Sequence, residues 1–298
     1  MTEDTGKRNK GAVRVAVMAA VAVVTVAVMC LFGLKRPEVF FPAMDKDKPQ
    51  MLFLGDSNID FAFEGTEIPV LITERSGIIT YNGAVGGSTA AMLSPFIDED
   101  NYYLMLSFFN MTRMMEAGDF SPMLRKQSFI DDSSSGISSK AMILSHLDYK
   151  AMDYVVIHYG LNDYYCGIPA KGENPADEGT YFGALCEGIK RVHKVCPNAR
   201  IIVSSITYCL YEEDGMEPVS GLEYNPGGGT VTEYRDAAKE AAEQFDYAVF
   251  LDNLSGMDLE NKPEDENGFM RDKMHFGQAG RQLYADNLLK LIKETDEK

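Results

Sequence analysis

The feature that most constrains the fold of this 298-residue chain is a series of short apolar runs separated by stretches of helical periodicity. The five runs cover residues 51–54, 78–81, 154–157, 200–204 and 247–251. Because their apolar residues are consecutive and do not alternate, they suit strands buried on both faces. The clearest helical stretches are residues 181–195, 232–245 and 278–293. This order predicts an α/β fold, a three-layer α/β/α sandwich around a five-stranded, mainly parallel sheet.

Composition and charge exclude several classes of protein. Hydrophobic residues make up 45% of the chain and charged residues 24%, which is ordinary for a globular domain and argues against wholesale disorder. Residues 51–298 contain 20 Lys and Arg against 40 Asp and Glu, a net charge of −20. A nucleic-acid partner requires a basic surface, so we expect none.

Residues 15–34 contain no charged side chain, and Thr25 carries the only hydroxyl group among them. A helix of this length spans ~30 Å, the thickness of a bilayer's hydrocarbon core. A cleavable signal peptide should end in a small-x-small site, but here the apolar segment runs directly into Lys35 and Arg36. We therefore expect an uncleaved single transmembrane helix, with a cleaved signal peptide as the alternative.

Basic residues set the expected orientation of this helix. Four precede it and two follow it: Lys7, Arg8, Lys10 and Arg14, then Lys35 and Arg36. The positive-inside rule then places the amino terminus in the cytoplasm and the rest of the chain outside the cell membrane. The expected organisation is a cytoplasmic tail (1–14), an anchor (15–34), a tether (35–49) and an extracellular domain (50–298).

Two segments interrupt the alternation of strands and helices. Residues 93–150 are rich in Met, Phe and Tyr and then in Ser, so they form either an inserted helical subdomain or lid, or additional core. Residues 211–229 combine acidic residues with three consecutive glycines, a composition that predicts a mobile surface loop.

Polar residues and glycines follow the first three predicted strands, where the chemistry of such a sheet collects. The first strand ends in a Gly-Asp-Ser triplet whose serine is Ser57. The second is followed by the paired glycines Gly86 and Gly87, whose N–H groups can stabilise an oxyanion. The third is followed by Gly-Leu-Asn-Asp, in which Asn162 offers a further donor. Each signal alone also has an ordinary explanation in turn chemistry.

A fourth motif lies just before the last helical stretch. Asp272 precedes His275 by three residues, a spacing that allows the carboxylate to accept the imidazole N–H and fix its tautomer. The other ring nitrogen can then face a serine hydroxyl. The four motifs together, in this order, resemble the SGNH hydrolase superfamily, also called GDSL esterases and lipases, over about residues 50–295.

The resemblance implies a flavodoxin-like sheet and a role for each matching residue. Ser57 corresponds to the nucleophile, His275 to the general base and Asp272 to the residue that orients the base. The Ser57 backbone N–H, Gly87 and the Asn162 side chain correspond to the oxyanion hole. The family pattern also implies that Asp272 is helpful without being essential, because backbone carbonyls can orient the histidine instead.

The sequence departs from the family pattern at two positions. Asn58 stands where the family name has Leu, a variation expected not to affect the chemistry. Phe276 stands where Pro often follows the histidine, which is expected to leave that loop less rigid.

The remaining histidines and cysteines do not form a metal-binding motif, and ester hydrolysis of this kind uses no cofactor, so we expect neither a metal nor a cofactor. We expect His158, on the third predicted strand, to be a core or rim histidine. Cys166 and Cys209 follow neighbouring strands, so a disulfide between them and independent thiols are both possible.

The sequence therefore predicts a membrane-tethered serine esterase that removes a short acyl group, most plausibly acetyl, from a cell-surface or environmental carbohydrate. Three alternatives remain open. The protein could be a lipase or lysophospholipase acting on a lipid ester, an extracellular acyltransferase, or a non-catalytic carbohydrate-binding module. Because fold does not determine substrate, the sequence leaves the acyl group and its acceptor undetermined.

Overall fold

The computed structural model describes residues 45, 47–61, 65–92, 106–125, 136–213, 215–260 and 262–297. Within them, five strands form one sheet in the order β2-β1-β3-β4-β7, and every neighbouring pair is parallel. The strands are β1 (Gln50–Gly55), β2 (Ile79–Asn82), β3 (Tyr154–His158), β4 (Arg200–Ser204) and β7 (Ala248–Leu251). A two-stranded antiparallel hairpin consists of β5 (Leu210–Tyr211) and β6 (Val219–Ser220). The predicted parallel sheet is confirmed.

Helices connect these strands and cover both faces of the sheet. Those before β3 are α1 (Ser57–Asp60), α2 (Ile68–Ser76), α3 (Phe108–Ala117), α4 (Ser121–Arg125) and α5 (Ile137–His146). Those after it are α6 (Leu161–Tyr165), α7 (Tyr181–Val195), α8 (Val231–Glu243), α9 (Asn253–Met257) and α10 (Gln278–Asp296). The three helical stretches predicted from periodicity correspond to α7, α8 and α10.

The side chains of β1 divide the core into two clusters, one on each face of the sheet. Leu52 and Leu54 pack in one cluster, which also contains buried residues of α3, α5, α7 and α8. Met51 and Phe53 pack in the other, against residues of α2, α9 and α10. Successive strand residues point to opposite faces, so the two clusters require helices on both sides. The predicted three-layer sandwich is therefore the architecture of the described residues.

The described part of the 93–150 segment contributes to the main core. Phe108 and Met111 of α3 and Leu144 of α5 are completely buried in the same cluster as the α7 residues. Helix α3 packs along α7, where Gly188 faces the Phe108 ring. These contacts agree with the additional-core interpretation of the segment. Residues 93–105 and 126–135 lie outside the described residues.

The segment predicted as a mobile loop, residues 211–229, contains regular structure and a fixed contact. The β5–β6 hairpin includes its first part, and the Ala170 N–H donates a 2.8 Å hydrogen bond to the Gly228 carbonyl. The phenolic oxygen of Tyr234 also lies close to Gly228. Glycines here permit close packing between loops, a use that composition alone does not distinguish from flexibility.

Among the residues that the structure describes, no helix combines the length and the apolar content needed to cross a membrane. The tail predicted at 1–14 and the anchor predicted at 15–34 lie outside these residues, as does the tether up to residue 44.

The contact between α3 and α7 yields a test of the fold. A Cβ atom added at Gly188 would fall well inside van der Waals contact with the buried Phe108 ring. We expect Gly188→Ala to lower the free energy of unfolding by about 1–3 kcal/mol, because overpacking outweighs the helix propensity of alanine. Urea unfolding measures the change.

The matched control is Gly256→Ala in α9, where the nearest atom to the added Cβ is the Asn287 side-chain nitrogen at 3.3 Å. That side chain can move, so the control should retain nearly the stability of the natural protein. Equal stability of both variants would contradict the close packing of α3 on α7.

Candidate active site

The carboxyl ends of three neighbouring strands bring the predicted site residues to one edge of the sheet. Ser57 follows β1, Gly87 follows β2 and Asn162 follows β3. Because β1 lies between β2 and β3, the serine occupies the middle of this edge. The topology therefore places one potential nucleophile between two potential oxyanion donors.

Ser57 begins the short helix α1, and its neighbour Asp56 caps that helix. One Asp56 carboxylate oxygen accepts the Asn58 backbone N–H at 3.0 Å. The Asp56 backbone N–H donates to the His158 carbonyl at 3.2 Å, which continues the β1–β3 pairing beyond the strand. These bonds fix the turn that presents the serine at the sheet edge.

His275 and Asp272 complete a hydrogen-bonded chain with this serine. The Ser57 Oγ atom lies 3.0 Å from His275 Nε2. On the other side of the ring, His275 Nδ1 lies 2.9 Å from Asp272 Oδ2 and 3.0 Å from Oδ1. The His275 side chain is 17% exposed and that of Asp272 is 42% exposed, so solvent reaches the chain from the carboxylate side. The structure thus brings together three residues that span 218 positions of sequence.

Asp272 is held in its charged form. Partial burial raises the pKa of its carboxyl group, but hydrogen bonds from the Met274 N–H, the His275 ring and the His275 N–H outweigh that effect and leave the pKa below its ordinary value. A carboxylate at this position favours the imidazole tautomer that has its proton on Nδ1. His275 Nε2 is then free to accept a proton from Ser57.

The glycine turn after β2 packs directly against Ser57. A Cβ atom at Gly86 would lie 3.7 Å from the Ser57 Cβ. Gly87 adopts a φ of +76°, which L-residues with side chains rarely adopt. In the described part of the chain, the backbone N–H groups of Ser57 and Gly87 have no protein acceptor. Both groups are therefore available to a ligand oxygen.

Asn162 is the third predicted donor. Its Nδ2 atom donates a 2.9 Å hydrogen bond to the Ser88 carbonyl, one residue beyond Gly87. This bond uses one of the two amide hydrogens and ties the β3 loop to the glycine turn. The second hydrogen has no acceptor among the residues described, so Asn162 can still donate to a ligand.

Three features of the site were not foreseen from the sequence, and the first is a buried ion pair beneath the glycine turn. Asp60 Oδ1 pairs with Lys140 Nζ, and Asp60 Oδ2 accepts the Gly86 N–H at 2.6 Å. Lys140 also donates to the Ala84 carbonyl. Burial lowers the pKa of Lys140 and the adjacent Asp60 carboxylate opposes that shift. The pair fixes both ends of the Ala84–Gly86 turn, with its lysine supplied by α5.

The second unforeseen feature is Asp163, which is completely buried. Its two carboxylate oxygens accept the N–H groups of Ala90 and Ala91 at 2.8 and 2.9 Å. Burial raises its pKa to about 6, although these two hydrogen bonds act in the opposite direction. Asp163 thus joins the loops after β2 and β3, next to the position of Asn162. The Gly-Leu-Asn-Asp motif contained this residue, but only its asparagine was assigned a role.

The third feature concerns the two departures from the family pattern. Asn58 Oδ1 accepts the Phe276 N–H at 3.1 Å, and Asn58 Nδ2 donates to the Met274 carbonyl at 3.2 Å. The expectation that Phe276 leaves the histidine loop less rigid did not account for these bonds. Asn58 therefore contacts the residues on both sides of His275, which an apolar side chain at that position cannot do by hydrogen bonding.

The other histidines and cysteines of the described residues lie apart from this hydrogen-bonded chain. His158 is buried with its Nδ1 3.1 Å from Ser204 Oγ, and burial lowers its pKa to about 3, so it is a neutral core histidine. Cys166, Cys186, Cys196 and Cys209 are free thiols, so the Cys166–Cys209 disulfide is absent. No three His, Cys, Asp or Glu side chains of these residues gather in a group that could hold a metal ion.

An open pocket of about 320 Å³ borders the imidazole. Its lining consists of Glu264, Asp272, Lys273, Met274 and His275. The Phe61 ring lies against His275, with the ring centroids 4.9 Å apart. The pocket is open and partly charged, and it gives solvent and small molecules access to the imidazole.

Comparison with protein-family models matches residues 122–283, more than half of the chain, to the GDSL-like lipase/acylhydrolase family. The matched range includes Asn162, Asp272 and His275, while Ser57 and Gly87 precede it. No curated protein matches the sequence.

Several solved structures share the fold. A Lactobacillus plantarum protein matches with a TM-score of 0.54 at 17% identity, over 83% of this chain and 97% of that one. A protein from Chitinophaga pinensis, described as a possible lipase, matches with a TM-score of 0.54 at 12% identity, over 84% and 100%. A Parabacteroides merdae protein, described provisionally as a GDSL-like lipase, matches with a TM-score of 0.50 at 17% identity, over 82% and 94%.

Asp56 gives the site a pH-dependent contribution to stability. Complete burial raises its pKa from 3.8 to about 7, the Asn58 N–H opposes that shift, and the carboxylates of Asp163 and Asp60 add to it. Its second carboxylate oxygen has no hydrogen-bond partner among the described residues. Because the folded pKa lies above the unfolded one, the contribution is complete below about pH 4 and is lost as the pH rises through about 7.

We therefore expect Asp56→Asn to change the pH dependence of stability. The asparagine oxygen can still accept the Asn58 N–H, but the side chain cannot ionise. The free energy of unfolding of the variant, relative to the natural protein, should rise between about pH 4 and pH 8 by on the order of a few kcal/mol. Urea unfolding across this range measures it, and parallel pH curves for the two proteins would show that Asp56 does not titrate there.

Proposed function

Because the chain belongs to the GDSL-like lipase/acylhydrolase family, it is a hydrolase of ester bonds, and we propose that it cleaves its ester through Ser57, His275 and Asp272. The observation that carries this proposal is the 3.0 Å hydrogen bond between Ser57 Oγ and His275 Nε2. A serine hydroxyl is a poor nucleophile at neutral pH unless a base removes its proton during attack. His275 is within reach to be that base.

In the proposed reaction, Ser57 Oγ attacks the acyl carbon while His275 Nε2 takes its proton. The protonated imidazole then gives this proton to the leaving alkoxide, so that an alcohol departs and an acyl-enzyme remains. Water attacks the acyl-enzyme with the same base and releases the carboxylic acid and free Ser57. Asp272 holds the ring and stabilises its positive charge through the Nδ1 hydrogen bond.

The oxyanion formed in each step needs donors that are already in position. We assign this role to the N–H groups of Ser57 and Gly87 and to the Asn162 amide. Their support is the lack of a protein acceptor for the two backbone groups and the position of all three at neighbouring strand ends. Losing one such donor typically costs ~3–4 kcal/mol of transition-state stabilisation.

We propose that the substrate is a short acyl ester, an O-acetyl group, on a carbohydrate. The pocket beside His275 is open to solvent, which suits a short acyl group better than a long chain that needs an enclosed apolar cavity. Tyr165, Tyr211 and Tyr224 stack in succession, with centroid separations of 5.3 and 4.7 Å, and Tyr165 lies close enough to Asp272 to interact with it electrostatically. Such rings offer apolar faces to a sugar.

We further propose that the protein is tethered to the cell membrane by residues 15–34, with its amino terminus in the cytoplasm and its catalytic domain outside. The support is the twenty-residue uncharged segment and the excess of basic residues before it.

The nucleophile is tested by covalent labelling with a fluorophosphonate and by turnover of p-nitrophenyl acetate. We expect Ser57→Ala to abolish labelling and to lower kcat/KM by at least about 10³-fold, because the attacking oxygen is gone. Ser255→Ala, which alters an exposed serine in α9, should retain both properties. Undiminished labelling or turnover by Ser57→Ala would exclude this serine as the nucleophile. The hydrogen bonds among Ser57, His275 and Asp272 would then not serve catalysis.

Acyl specificity is tested with p-nitrophenyl esters of increasing chain length. We expect kcat/KM to be highest for acetate or butyrate, because the pocket beside His275 is open to solvent and does not enclose a long acyl chain. A preference for chains of eight or more carbons would contradict the carbohydrate proposal and favour the lipase or lysophospholipase alternative. Product analysis with a sugar acceptor present distinguishes hydrolysis from acyl transfer.

A further inference from the structure

We infer that Asn58 is a positioning residue for the reaction, one that holds the backbone on both sides of His275 in register with Ser57. The inference rests on the proposed function, in which Ser57 and His275 react together. Asn58 follows the serine directly and is only 5% exposed. Its two amide atoms reach the two residues that flank the histidine, at positions 274 and 276.

The chemistry of the partners fixes the orientation of this amide. The Phe276 N–H can only donate, so it requires the asparagine oxygen, and the Met274 carbonyl can only accept, so it requires the asparagine nitrogen. An exchanged amide would lose both hydrogen bonds. A side chain that satisfies both groups at once must carry a donor and an acceptor at this spacing, which leucine does not.

The backbone of residues 274–276 is otherwise satisfied, so Asn58 supplies what the rest of the site does not. Asp272 Oδ1 accepts hydrogen bonds from the N–H groups of residues 274 and 275. The Arg271 N–H donates to the carbonyl of residue 275, and the Arg281 guanidinium donates to the carbonyl of residue 276. The two remaining backbone groups, the carbonyl of residue 274 and the N–H of residue 276, are those bound by Asn58. All six polar groups around the imidazole are therefore fixed.

The two departures from the family pattern act as one pair. A proline at position 276 has no N–H, so it leaves nothing for an asparagine oxygen at position 58 to accept. Phe276 provides that N–H, and its ring is buried. The asparagine and the phenylalanine together replace the rigidity of a proline with a hydrogen bond between the nucleophile's helix and the histidine loop.

The functional consequence follows from adjacency. Ser57 and Asn58 are consecutive residues of α1, so movement of the His275 loop away from the serine must also stretch the two Asn58 hydrogen bonds, which oppose it. Proton transfer is sensitive to this distance, and a misplacement of about 1 Å can lower a rate by about 100-fold. Asn58 acts through His275 and does not itself contact the reacting atoms.

The test is the kinetics of Asn58→Leu and Asn58→Ser with p-nitrophenyl acetate. We expect kcat to fall by about 10- to 100-fold in Asn58→Leu and by a smaller factor in Asn58→Ser, whose hydroxyl can satisfy one of the two backbone groups. KM should change much less than kcat in both variants, because Asn58 does not line the pocket. The rate of fluorophosphonate labelling should fall in parallel with kcat, since it needs the same proton transfer.

The matched controls are Asn253→Leu and Asn253→Ser. Asn253 is also buried and also bonds through both amide atoms, to Ser204 Oγ and Asn287 Nδ2, but it does not contact the histidine loop. These controls should lower the melting temperature and leave the kcat of the folded protein unchanged. A purely structural Asn58 would behave in the same way.

The outcomes separate the inference from the function on which it rests. If Asn58→Leu does not fold, Asn58→Ser decides. If the folded Asn58 variant has the same kcat as the natural protein while Ser57→Ala is inactive, the positioning role is overturned and the proposed function is unaffected. An active Ser57→Ala would instead show that the proposed function has failed.

Discussion

The site depends on the hydrogen bond between Ser57 Oγ and His275 Nε2, because it joins the first strand to a loop 218 positions later in the chain. The parallel sheet makes this possible by bringing strand ends from the whole sequence to one edge. The helices on both faces hold the strands in register through two apolar clusters. The geometry of the serine–histidine pair is therefore a property of the complete sandwich and not of any one motif.

Three buried carboxyl groups lie close to this hydrogen bond. Asp56, Asp60 and Asp163 lie within or beside the loops that follow β1 and β3, and among the residues that the structure describes only Asp60 of the three has a cationic partner, Lys140. These carboxyl groups mainly accept hydrogen bonds from backbone N–H groups of the turns that carry the proposed nucleophile and oxyanion donors. Burying a carboxyl group lowers the stability of the fold unless hydrogen bonds compensate for it. Here those hydrogen bonds also fix irregular backbone. Lys140 belongs to the 93–150 segment, which interrupts the alternation of strands and helices, so this segment contacts the site directly.

Much of this arrangement was predictable from sequence because the signals were local and periodic. The apolar runs indicated all five sheet strands, and helix α7 begins and ends where its periodicity does. Ser57, Asp272 and His275 were identifiable as candidates because they belong to short motifs, one after the first strand and one before the last helix, that together with two others resemble a known family. Asp60 and Lys140 were not, since they lie 80 positions apart with no motif that relates them, and only the folded chain brings them together. The glycines of residues 227–229 were predicted to be flexible because composition does not reveal which backbone they approach. The role proposed for Asn58 depends on its contacts with the histidine loop, which the sequence does not show.

The central claim is that Ser57 is the nucleophile and that three strand ends supply the donors for its oxyanion. The most direct measurement is an experimental structure of the protein after reaction with a fluorophosphonate. The account predicts phosphorus bonded to Ser57 Oγ, with one phosphoryl oxygen within hydrogen-bond distance of the N–H groups of Ser57 and Gly87 and of Asn162 Nδ2. Phosphorus on a different residue, or a phosphoryl oxygen directed away from all three donors, would contradict it.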